Sequence, residues 1–283
     1  MKLLLIDMSN LARKNAFAAV KADPYDNRVW RDWVERTIND ILDFVVQFKA
    51  DRCVLAMDDL IYWRTGEYPE YKANRKQFKK DAIIDFDSLD AFYYTFMQRF
   101  TATFSNFYCM KVDSCEADDV IAVLAKHNKD GQSTTIISAD KDFNQLKKYP
   151  NVVHYSPITR REVSSINPQR DLEIKIILGD VNDGIPQIKR GIGIKKAEQL
   201  LNTHADLANT SDSLLMQNYK RNRVLIDFEF IPVSIQLSIV DEYERVMIQP
   251  INLKNIFPFF MEYGASTAID KWQKCKDAIM GLK

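Results

Sequence analysis

Short apolar runs recur along the first half of the chain, each about as long as a β-strand. The runs occupy residues 3–6, 53–57, 108–112, 134–138 and 152–155. Two of the longer segments between them place apolar residues on one helix face: Val34, Ile38, Ile41, Leu42 and Val45 in the first, and Val120, Ile121, Val123 and Leu124 in the second. Strands that alternate with helices predict an α/β fold with a mostly parallel central sheet, flanked on both faces by helices.

The pattern changes near residue 172, where strand signals fade and helix-like segments broken by Gly and Pro follow. A chain of 283 residues is long enough for one large or two modest domains. We therefore predict an α/β domain over residues 1–180 and a smaller all-helical domain over residues 181–283. The sequence shows no internal repeat and no low-complexity tract.

Charge and cysteine content add two constraints. Lys and Arg total 39, as do Asp and Glu, so a nucleic-acid surface would have to come from local clusters of basic residues. The four cysteines are scattered without metal-type spacing or a disulfide framework, which is typical of a reducing cytoplasm. The apolar start is too short for a signal peptide, and no run reaches membrane-spanning length. We therefore expect a cytoplasmic protein without a membrane partner.

Aspartates follow three of the predicted strands at the point where each strand ends. Asp7 follows the first, Asp58 follows the second, and Asp140 and Asp142 follow the fourth. The carboxyl ends of strands in an open α/β sheet form the crevice where ligands bind, so these carboxylates should meet at one edge. Two further acidic groups lie at the start of the second predicted helix and near the predicted domain boundary: Glu116, Asp118 and Asp119, then Asp180 and Asp183.

Each acidic residue also has an ordinary structural explanation. Aspartates after strands often form turns or cap helices, and Glu116, three residues after Asp113, resembles part of a capping box. So many carboxylates in one crevice, however, would repel each other unless a cation neutralised them. Oxygen ligands without His or Cys favour Mg²⁺ or Mn²⁺, and two such ions about 4 Å apart can hydrolyse a phosphodiester. The cluster therefore predicts a metal site and favours a nuclease.

The segment directly after Asp58 interleaves aromatic and basic residues. Over residues 62–80 the cations are Arg64, Lys72, Arg75, Lys76, Lys79 and Lys80. Cations bind phosphates and aromatic faces stack on unpaired bases, a combination typical of single-stranded nucleic-acid sites. A solvated helix with inward-facing aromatics would give the same pattern. The position beside the acidic crevice favours nucleic-acid binding, whereas the aromatic residues 92–104 are predicted to be mainly core.

A glycine-containing turn opens the predicted helical domain. Gly191 and Gly193 precede an amphipathic segment, and the flanking cations are Lys189, Arg190, Lys195 and Lys196. Backbone amides at the start of a helix can bind phosphate, although a Gly-x-Gly turn is often only structural. The flanking cations favour a contact with the duplex backbone that carries no base specificity.

The order of these motifs resembles that of the 5′ nuclease (flap endonuclease) superfamily. The set comprises Asp7, Asp58, residues 71–75 (Tyr-Lys-Ala-Asn-Arg), 116–119 (Glu-Ala-Asp-Asp), 140–142 (Asp-Lys-Asp), 179–183 (Gly-Asp-Val-Asn-Asp) and 191–196 (Gly-Ile-Gly-Ile-Lys-Lys). Residues 62–64, 145–152 and 224–232 bring the chain closest to the T-even-phage ribonuclease H branch of that superfamily. The resemblance implies a helical arch over about residues 62–100 and a helix–hairpin–helix-like motif in the C-terminal domain.

The resemblance also implies roles for individual residues. The metal carboxylates would be Asp7, Asp58, Glu116, Asp118, Asp119, Asp140, Asp142, Asp180 and Asp183. Lys72 and Arg75 would be catalytic, with Lys72 polarising the scissile phosphate, while Arg64 would contact a phosphate and Tyr71 would stack on the terminal base. The glycine turn would bind duplex DNA through Lys189, Arg190, Gly191, Gly193, Lys195 and Lys196, around a K⁺ ion.

The implied activity is that of a Mg²⁺-dependent 5′–3′ exonuclease and flap endonuclease. Two Mg²⁺ ions, or Mn²⁺ in their place, would act on DNA and RNA–DNA hybrids with 5′ ends or flaps and leave 5′-phosphates. The implied role is removal of RNA primers during phage DNA replication in the host cytoplasm, by a monomer that has a single-stranded DNA-binding protein as partner.

Other classes of protein fit the sequence less well. A PIN-type RNA nuclease would lack the arch and the glycine turn, and a non-catalytic binder of branched DNA would be expected to lack some of the carboxylates. A HAD-type phosphatase is disfavoured because residue 9 is Ser rather than a second Asp.

Overall fold

The computed structural model describes residues 1–22, 29–75, 84–128, 132–203, 207–249 and 251–283. Part of the predicted arch, residues 76–83, lies outside the described residues, and with it Lys76, Lys79 and Lys80. In the part of the chain that is described, no helix is both long and apolar enough to cross a membrane.

The described residues contain a six-stranded sheet at the centre of the fold. In chain order its strands are β1 (Lys2–Asp7), β2 (Arg52–Met57), β3 (Tyr108–Lys111), β4 (Ser133–Ile137), β5 (Val152–Ser156) and β6 (Arg161–Glu162). Their spatial order is β3-β2-β1-β4-β5-β6, with β1 to β5 parallel and β6 antiparallel to β5. The mostly parallel sheet and its five predicted strands are confirmed. The sequence does not predict β6, because two exposed polar residues carry no apolar signal.

The other regular elements of the described chain are helices. They are α1 (Met8–Ala22), α2 (Val29–Phe48), α3 (Arg64–Glu67), α4 (Phe86–Thr103), α5 (Ala117–His127), α6 (Pro168–Leu178), α7 (Ile194–Thr203), α8 (Ser213–Ile226), α9 (Val233–Met247), α10 (Ile256–Glu262) and α11 (Ser266–Met280). Short 3₁₀ helices lie at Lys141–Lys148, Leu207–Asn209 and Phe228–Phe230.

The strands bury side chains on both faces of the sheet. Leu4 and Ile6 of β1 lie in a first core with α1, α2 and α4, and Leu3 and Leu5 lie in a second core with α5 and α9. Burial on both faces explains why the central strands are continuous apolar runs rather than alternating ones. The predicted helix faces are confirmed as core, and so are the aromatic residues Phe96, Phe100 and Phe104 of the 92–104 stretch.

After β6 the described elements are helical, which confirms a helical C-terminal region. Helices α6, α7 and α8 enclose a third core, which Tyr71 joins. In contrast, α10 and α11 bury Phe259, Phe260 and Trp272 in the first core, against α2 and α4. Helices from beyond residue 180 therefore complete the packing of the sheet, and the division into domains at that residue stays a prediction.

Sheet order brings three strand ends together. Strand β1 lies between β2 and β4, with Asp7 level with Ala56 of β2 and Ile6 level with Ile137 of β4. The chain builds β2 and β3 on one side of β1 and then crosses to place β4 on the other side, which makes this edge a topological switch point. The carboxyl ends of β2, β1 and β4 form the floor of the candidate site.

Candidate active site

Neutral hydrogen-bond donors hold the first two strand-end aspartates. Asp7 accepts the backbone N–H of Asn10 on Oδ1 at 2.9 Å and the hydroxyl of Ser138 on Oδ2 at 2.8 Å. Asp58 Oδ1 accepts the backbone N–H of Ala117, the first residue of α5, at 2.8 Å. The ordinary capping explanation therefore applies to Asp58 as well, but these donors orient the carboxylates without cancelling their charge.

Most of the predicted metal carboxylates line one crevice above this edge. The crevice lining contains Asp7, Asp58, Glu116, Asp118, Asp140, Asp180 and Asp183, together with Ser9, Asn10, Arg13, Lys72, Arg75 and Asn182. Asp142 lines a small adjoining cavity that shares Glu116, Asp118, Asp180 and Asp183 with the crevice. Asp119, also predicted as a metal carboxylate, lines neither the crevice nor the adjoining cavity.

Burial and mutual repulsion disfavour ionisation of several of these carboxyls. Burial and the neighbouring charge of Asp58 raise the pKa of Asp7 to about 7. Burial and the charges of Asp140 and Asp7 raise the pKa of Asp118. Burial also raises the pKa of Asp142 to about 6. A bound cation would offset both the desolvation and the repulsion.

Glu116, in contrast, is held as a carboxylate. It is buried and accepts hydrogen bonds from the Lys72 ammonium, from Arg64 Nη1 at 2.8 Å and from the Tyr71 hydroxyl at 2.9 Å. Burial alone would raise the pKa of Glu116, but Lys72 and Arg64 lower it to about 2. Burial alone would lower the pKa of Lys72, but Glu116 and Asp183 raise it to about 12.

Asp119 lies away from the crevice, which corrects its assignment as a metal carboxylate. It is fully buried, and its oxygens lie 2.8 Å from Arg64 Nη2 and 3.1 Å from Trp63 Nε1. The backbone N–H of Glu116 also donates to Asp119 at 3.0 Å, so the capping box of α5 pairs Glu116 with Asp119. The sequence suggested a capping box of Asp113 with Glu116, and the observed one lies three residues further along the chain.

Arg64 and Tyr71 are buried, so neither is presented to nucleic acid as predicted. Arg64 is 3% exposed, its Nε donates to the Leu225 carbonyl at 2.9 Å, and its other nitrogens bind Glu116 and Asp119. Tyr71 is 5% exposed, and its hydroxyl donates to Glu116. Phosphate contact by Arg64 and base stacking by Tyr71 are therefore corrected to a shared structural role, in which both side chains support Glu116.

Lys72 and Arg75 lie at the crevice, beside carboxylates. Arg75 Nη2 donates to Asp183 Oδ1 at 2.6 Å, and Lys72 Nζ lies 3.9 Å from Asp183 Oδ2 in addition to its contact with Glu116. The Lys72 backbone has a φ of +58°, in the left-handed region that few non-glycine residues adopt. The structure thus places both predicted catalytic cations at the site, and their catalytic role stays a prediction.

The sequence did not reveal Lys175, which lies between two predicted metal carboxylates. Its Nζ is 2.5 Å from both carboxylate oxygens of Asp142 and 2.8 Å from Asp180 Oδ2. Burial alone would lower the pKa of Lys175, but Asp142 and Asp180 raise it. The one sequence signal was its position in the last turn of α6, shortly before the Gly-Asp motif. Arg13, which lines the crevice from α1, was also not predicted.

The glycine turn before α7 is exposed. Its predicted binding residues Lys189, Arg190, Gly191, Gly193, Lys195 and Lys196 are all solvent-accessible. Gln187 holds the turn, because its Oε1 accepts the backbone N–H of Gly191 at 2.9 Å and its Nε2 donates to the Ile192 carbonyl at 2.8 Å. Gly191 has a φ of +79°, and a Cβ at Gly191 or Gly193 would meet nothing within 4 Å. The backbone of the turn is therefore open to close approach by a ligand.

The donor set fits a hard divalent cation. The described lining of the crevice offers carboxylate, hydroxyl and amide oxygens and includes neither His nor Cys. Burial, and after it the charges of neighbouring carboxylates, raise the pKa values of Asp7 and Asp118. With the side chains as they stand, no three acidic, His or Cys groups among the described residues are close enough to bind one ion.

Comparisons with known proteins agree with this architecture. The family model of the 5′–3′ exonuclease N-terminal resolvase-like domain matches residues 2–173, and that of the T4 RNase H C-terminal domain matches residues 195–274. Ribonuclease H of Enterobacteria phage T4 is 30% identical over 287 residues, covering 93% of this chain and 92% of the relative.

More distant relatives match smaller shares of one chain or the other. Flap endonuclease Xni of Shewanella putrefaciens is 28% identical, over 75% of this chain and 79% of its own. DNA polymerase I of Bacillus subtilis is 24% identical over 95% of this chain, which spans only 32% of the polymerase.

Solved structures share the fold at lower identity. The zinc-bound 5′-exonuclease of phage T5 has a TM-score of 0.65 and 18% identity, over 87% of this chain and 100% of its own. The phage T5 flap endonuclease in complex with DNA and metal ions has a TM-score of 0.64 and 19% identity, over 87% and 98% of the two chains. Together with the two family matches and the phage T4 relative, these findings show that the chain belongs to the 5′–3′ exonuclease family of nucleases and has a C-terminal region of the T4 ribonuclease H type.

Proposed function

We propose that this protein is a Mg²⁺-dependent 5′–3′ exonuclease and flap endonuclease that hydrolyses phosphodiester bonds and leaves 5′-phosphates. One observation carries the proposal: carboxylates at the ends of three neighbouring strands share a crevice with the cationic side chains of Lys72 and Arg75. Hydrolysis of a phosphodiester needs both ligands for metal ions and positive charge for the phosphate. Relatives named ribonuclease H and flap endonuclease support this function.

The acidic residues of the crevice and the adjoining cavity would hold two metal ions. They are Asp7, Asp58, Glu116, Asp118, Asp140, Asp142, Asp180 and Asp183. Bound Mg²⁺ supplies activation of the attacking water and stabilisation of the leaving oxygen. Mn²⁺ would substitute because it takes the same oxygen ligands. The metal-bound phage T5 structures support a divalent cofactor.

Lys72 and Arg75 would hold the scissile phosphate. The pKa of Lys72, about 12, keeps its ammonium protonated at neutral pH, so Lys72 acts as a fixed positive charge rather than as a general base. Arg75 presents a guanidinium fork that matches a phosphate. Both cations now face carboxylates, and an incoming phosphate would take over part of these contacts at Asp183 and Glu116.

The exposed glycine turn would bind the duplex beyond the site. The exposed backbone at Gly193 and the ammonium groups of Lys195 and Lys196 suit phosphate contacts without base specificity. A K⁺ ion at this turn is part of the proposal. Substrates would be DNA and RNA–DNA hybrids with 5′ ends or flaps, and the phage T5 complex with DNA supports a DNA substrate.

The proposed role is removal of RNA primers and 5′ flaps during phage DNA replication. The phage T4 relative supports a phage setting. The protein would work as a monomer in the host cytoplasm, with a single-stranded DNA-binding protein as partner.

Cleavage of a 5′-labelled flap duplex and of a primer RNA–DNA hybrid tests the proposal. The reactions compare Mg²⁺ with EDTA for the wild type, for Asp140→Asn and for Asp270→Asn, a matched change at an exposed aspartate of α11. We expect Mg²⁺-dependent release of short 5′ products by the wild type and Asp270→Asn. Asp140→Asn should bind the substrates and not cleave them. If the wild type binds the substrates tightly but does not cleave them with any of several divalent metals, the result would contradict the proposed nuclease activity. It would support a non-catalytic binder of branched DNA instead.

A further inference from the structure

The turn that carries the two site cations is joined to the loop that carries two acidic site residues. We call residues 70–75 the arch-base turn and residues 179–185 the acidic loop. The backbone N–H of Lys72 donates to the Asp183 carbonyl at 2.8 Å, and Arg75 donates to the Asp183 carboxylate at 2.6 Å. Because 108 residues separate Arg75 from Asp183, their juxtaposition depends on direct contacts between the two segments.

Asn74 supplies a further link between the two segments. Its Nδ2 donates at 2.7 Å to the Val181 carbonyl, which also accepts the Gly184 N–H at 3.2 Å within the acidic loop. The other side-chain atom, Asn74 Oδ1, is buried without a hydrogen-bond partner in the described structure. Asn74 therefore adds a side-chain hydrogen bond between the arch-base turn and the acidic loop.

Gly184 allows the two segments to approach closely. It has a φ of +70°, and a Cβ there would lie only 2.8 Å from the backbone carbonyl oxygen of Glu70. Hydrogen bonds also link residues within the acidic loop: Asp180 and Ile185 exchange backbone hydrogen bonds of 2.9 and 2.8 Å, and Asp180 Oδ1 accepts the Asn182 N–H at 2.8 Å. A side chain at position 184 would therefore displace the arch-base turn.

The geometry points to Asn74 and Gly184 as positioning residues that lock the arch-base turn to the acidic loop. Neither residue lines the crevice. Through this lock the ammonium of Lys72 and the guanidinium of Arg75 keep a fixed relation to the Asp183 carboxylate. The inference rests on the proposed function, because it matters for catalysis only if those cations hold the scissile phosphate beside the metal carboxylates.

The lock should affect the chemical step more than substrate binding. Misplacement of a catalytic group by about 1 Å can lower a rate roughly 100-fold, whereas ground-state affinity comes mainly from the many contacts with the nucleic-acid backbone. Loss of the lock is therefore expected to lower kcat by about 10- to 100-fold and to leave KM within about threefold.

Two variants and two matched controls test the lock. Asn74→Asp keeps the side-chain shape but removes the donor, and Gly184→Ala adds the Cβ that meets Glu70. The controls are Val181→Ala, whose side chain is 79% exposed and whose carbonyl is retained, and Gly66→Ala, where a Cβ meets nothing within 4 Å. For each protein, kcat and KM are measured on the flap duplex with Mg²⁺, and the Kd for the same duplex is measured in EDTA.

Amide hydrogen exchange gives a readout that does not depend on activity. In both variants, and in neither control, peptides covering residues 70–75 and 179–185 should exchange faster while core peptides keep the wild-type rate. Unchanged exchange together with unchanged kcat in both variants would overturn the inference. A rise in KM and Kd with little change in kcat would also overturn it. If the wild type cleaves neither substrate, the proposed function fails, and the exchange data still decide whether the lock exists.

Discussion

At the scale of single residues, the crevice carries more negative charge than its lysines offset. Burial and the charge of Asp58 raise the pKa of Asp7 to about 7, and burial also raises the pKa of Asp142 to about 6. In the absence of a bound cation these carboxyls are easier to bury protonated than ionised. The negative charge that favours metal binding therefore destabilises the folded protein when no metal is bound.

Stability of the metal-free protein should respond to pH through Asp7. Between its ordinary pKa of 3.8 and its native pKa of about 7, native Asp7 keeps a proton that the unfolded chain has released. The free energy of unfolding therefore falls as pH rises through that window. Asp7→Asn, which does not titrate, should show a shallower fall in urea unfolding measured in EDTA from about pH 5 to pH 7.5.

Comparison of the two slopes measures the contribution of Asp7 together with its effect on the coupled carboxyl of Asp118. Burial lowers the pKa of His154, so His154 contributes a slope of opposite sign, but it is present in both proteins. Added Mg²⁺ should stabilise the wild type more at pH 7.5 than at pH 5.5, because the ion binds the ionised carboxylates. Equal slopes for wild type and Asp7→Asn in EDTA would refute the raised pKa.

Burial gives the guanidinium of Arg64 a structural role in place of a contact with nucleic acid. Its guanidinium is 3% exposed and bridges Glu116, Asp119 and the Leu225 carbonyl. Because Arg64→Met leaves the buried Asp119 carboxylate without its cation and leaves Glu116 with Lys72 alone, we expect the free energy of unfolding to fall by about 3–5 kcal/mol. Arg36→Met, which removes an exposed cation on α2, should change it by less than about 1 kcal/mol. Chemical denaturation at pH 7 measures both.

The same residue gives a test of phosphate contact. Arg64→Met removes the positive charge, yet it should leave the salt dependence of duplex binding by the folded protein unchanged, because buried Arg64 neutralises no phosphate. A clear change in the slope of log Kd against log salt would instead show that Arg64 reaches the nucleic acid.

At the scale of elements, the glycine turn and α7 form a compact exposed binding element. Gln187 fixes the turn through the backbone of Gly191 and Ile192, and Lys195 and Lys196 begin the helix. Simultaneous replacement of Lys195 and Lys196 by Ala should weaken duplex binding and reduce the salt slope by about 0.9 for each phosphate that is no longer neutralised. Fluorescence titrations at several salt concentrations, with Lys274→Ala of α11 as a matched control, measure both effects. An unchanged slope would exclude these lysines from duplex binding.

The local sequence pattern predicts the strands correctly, but it does not predict the roles of several residues of the candidate site. The apolar runs predicted five strands, and chain order placed Asp7, Asp58 and Asp140 at their ends, because both properties are local in the sequence. Burial of Arg64 depends on the Leu225 carbonyl, 161 residues away, and no local pattern reveals such a contact. Asp119 was misassigned because acidic residues recur at a spacing of three here, and only the start of α5 decides which of them cap the helix.

At the scale of the whole molecule, the C-terminal helices complete the core of the sheet. Trp272 of α11 is 3% exposed, and its ring centroid lies 5.4 Å from that of Phe104 in the first core. Asn106, fully buried, donates from Nδ2 to the Ile279 carbonyl at 2.6 Å. The N-terminal and C-terminal parts of the chain therefore share one core, although the sequence favoured separate α/β and helical domains.

This shared core predicts that the sheet and the C-terminal helices unfold together. Trp272→Ala leaves a cavity in the first core beside Phe104, so the free energy of unfolding should fall by about 3–5 kcal/mol. Phe257→Ala, whose side chain is 53% exposed on α10, should have a much smaller effect. Tryptophan fluorescence and far-ultraviolet circular dichroism should show one coincident transition in both variants, because the first core joins the sheet to α10 and α11. If Trp272→Ala instead separates the two signals, with α11 unfolding first and the sheet intact, the C-terminal helices form an independent unit and the division near residue 180 would gain support.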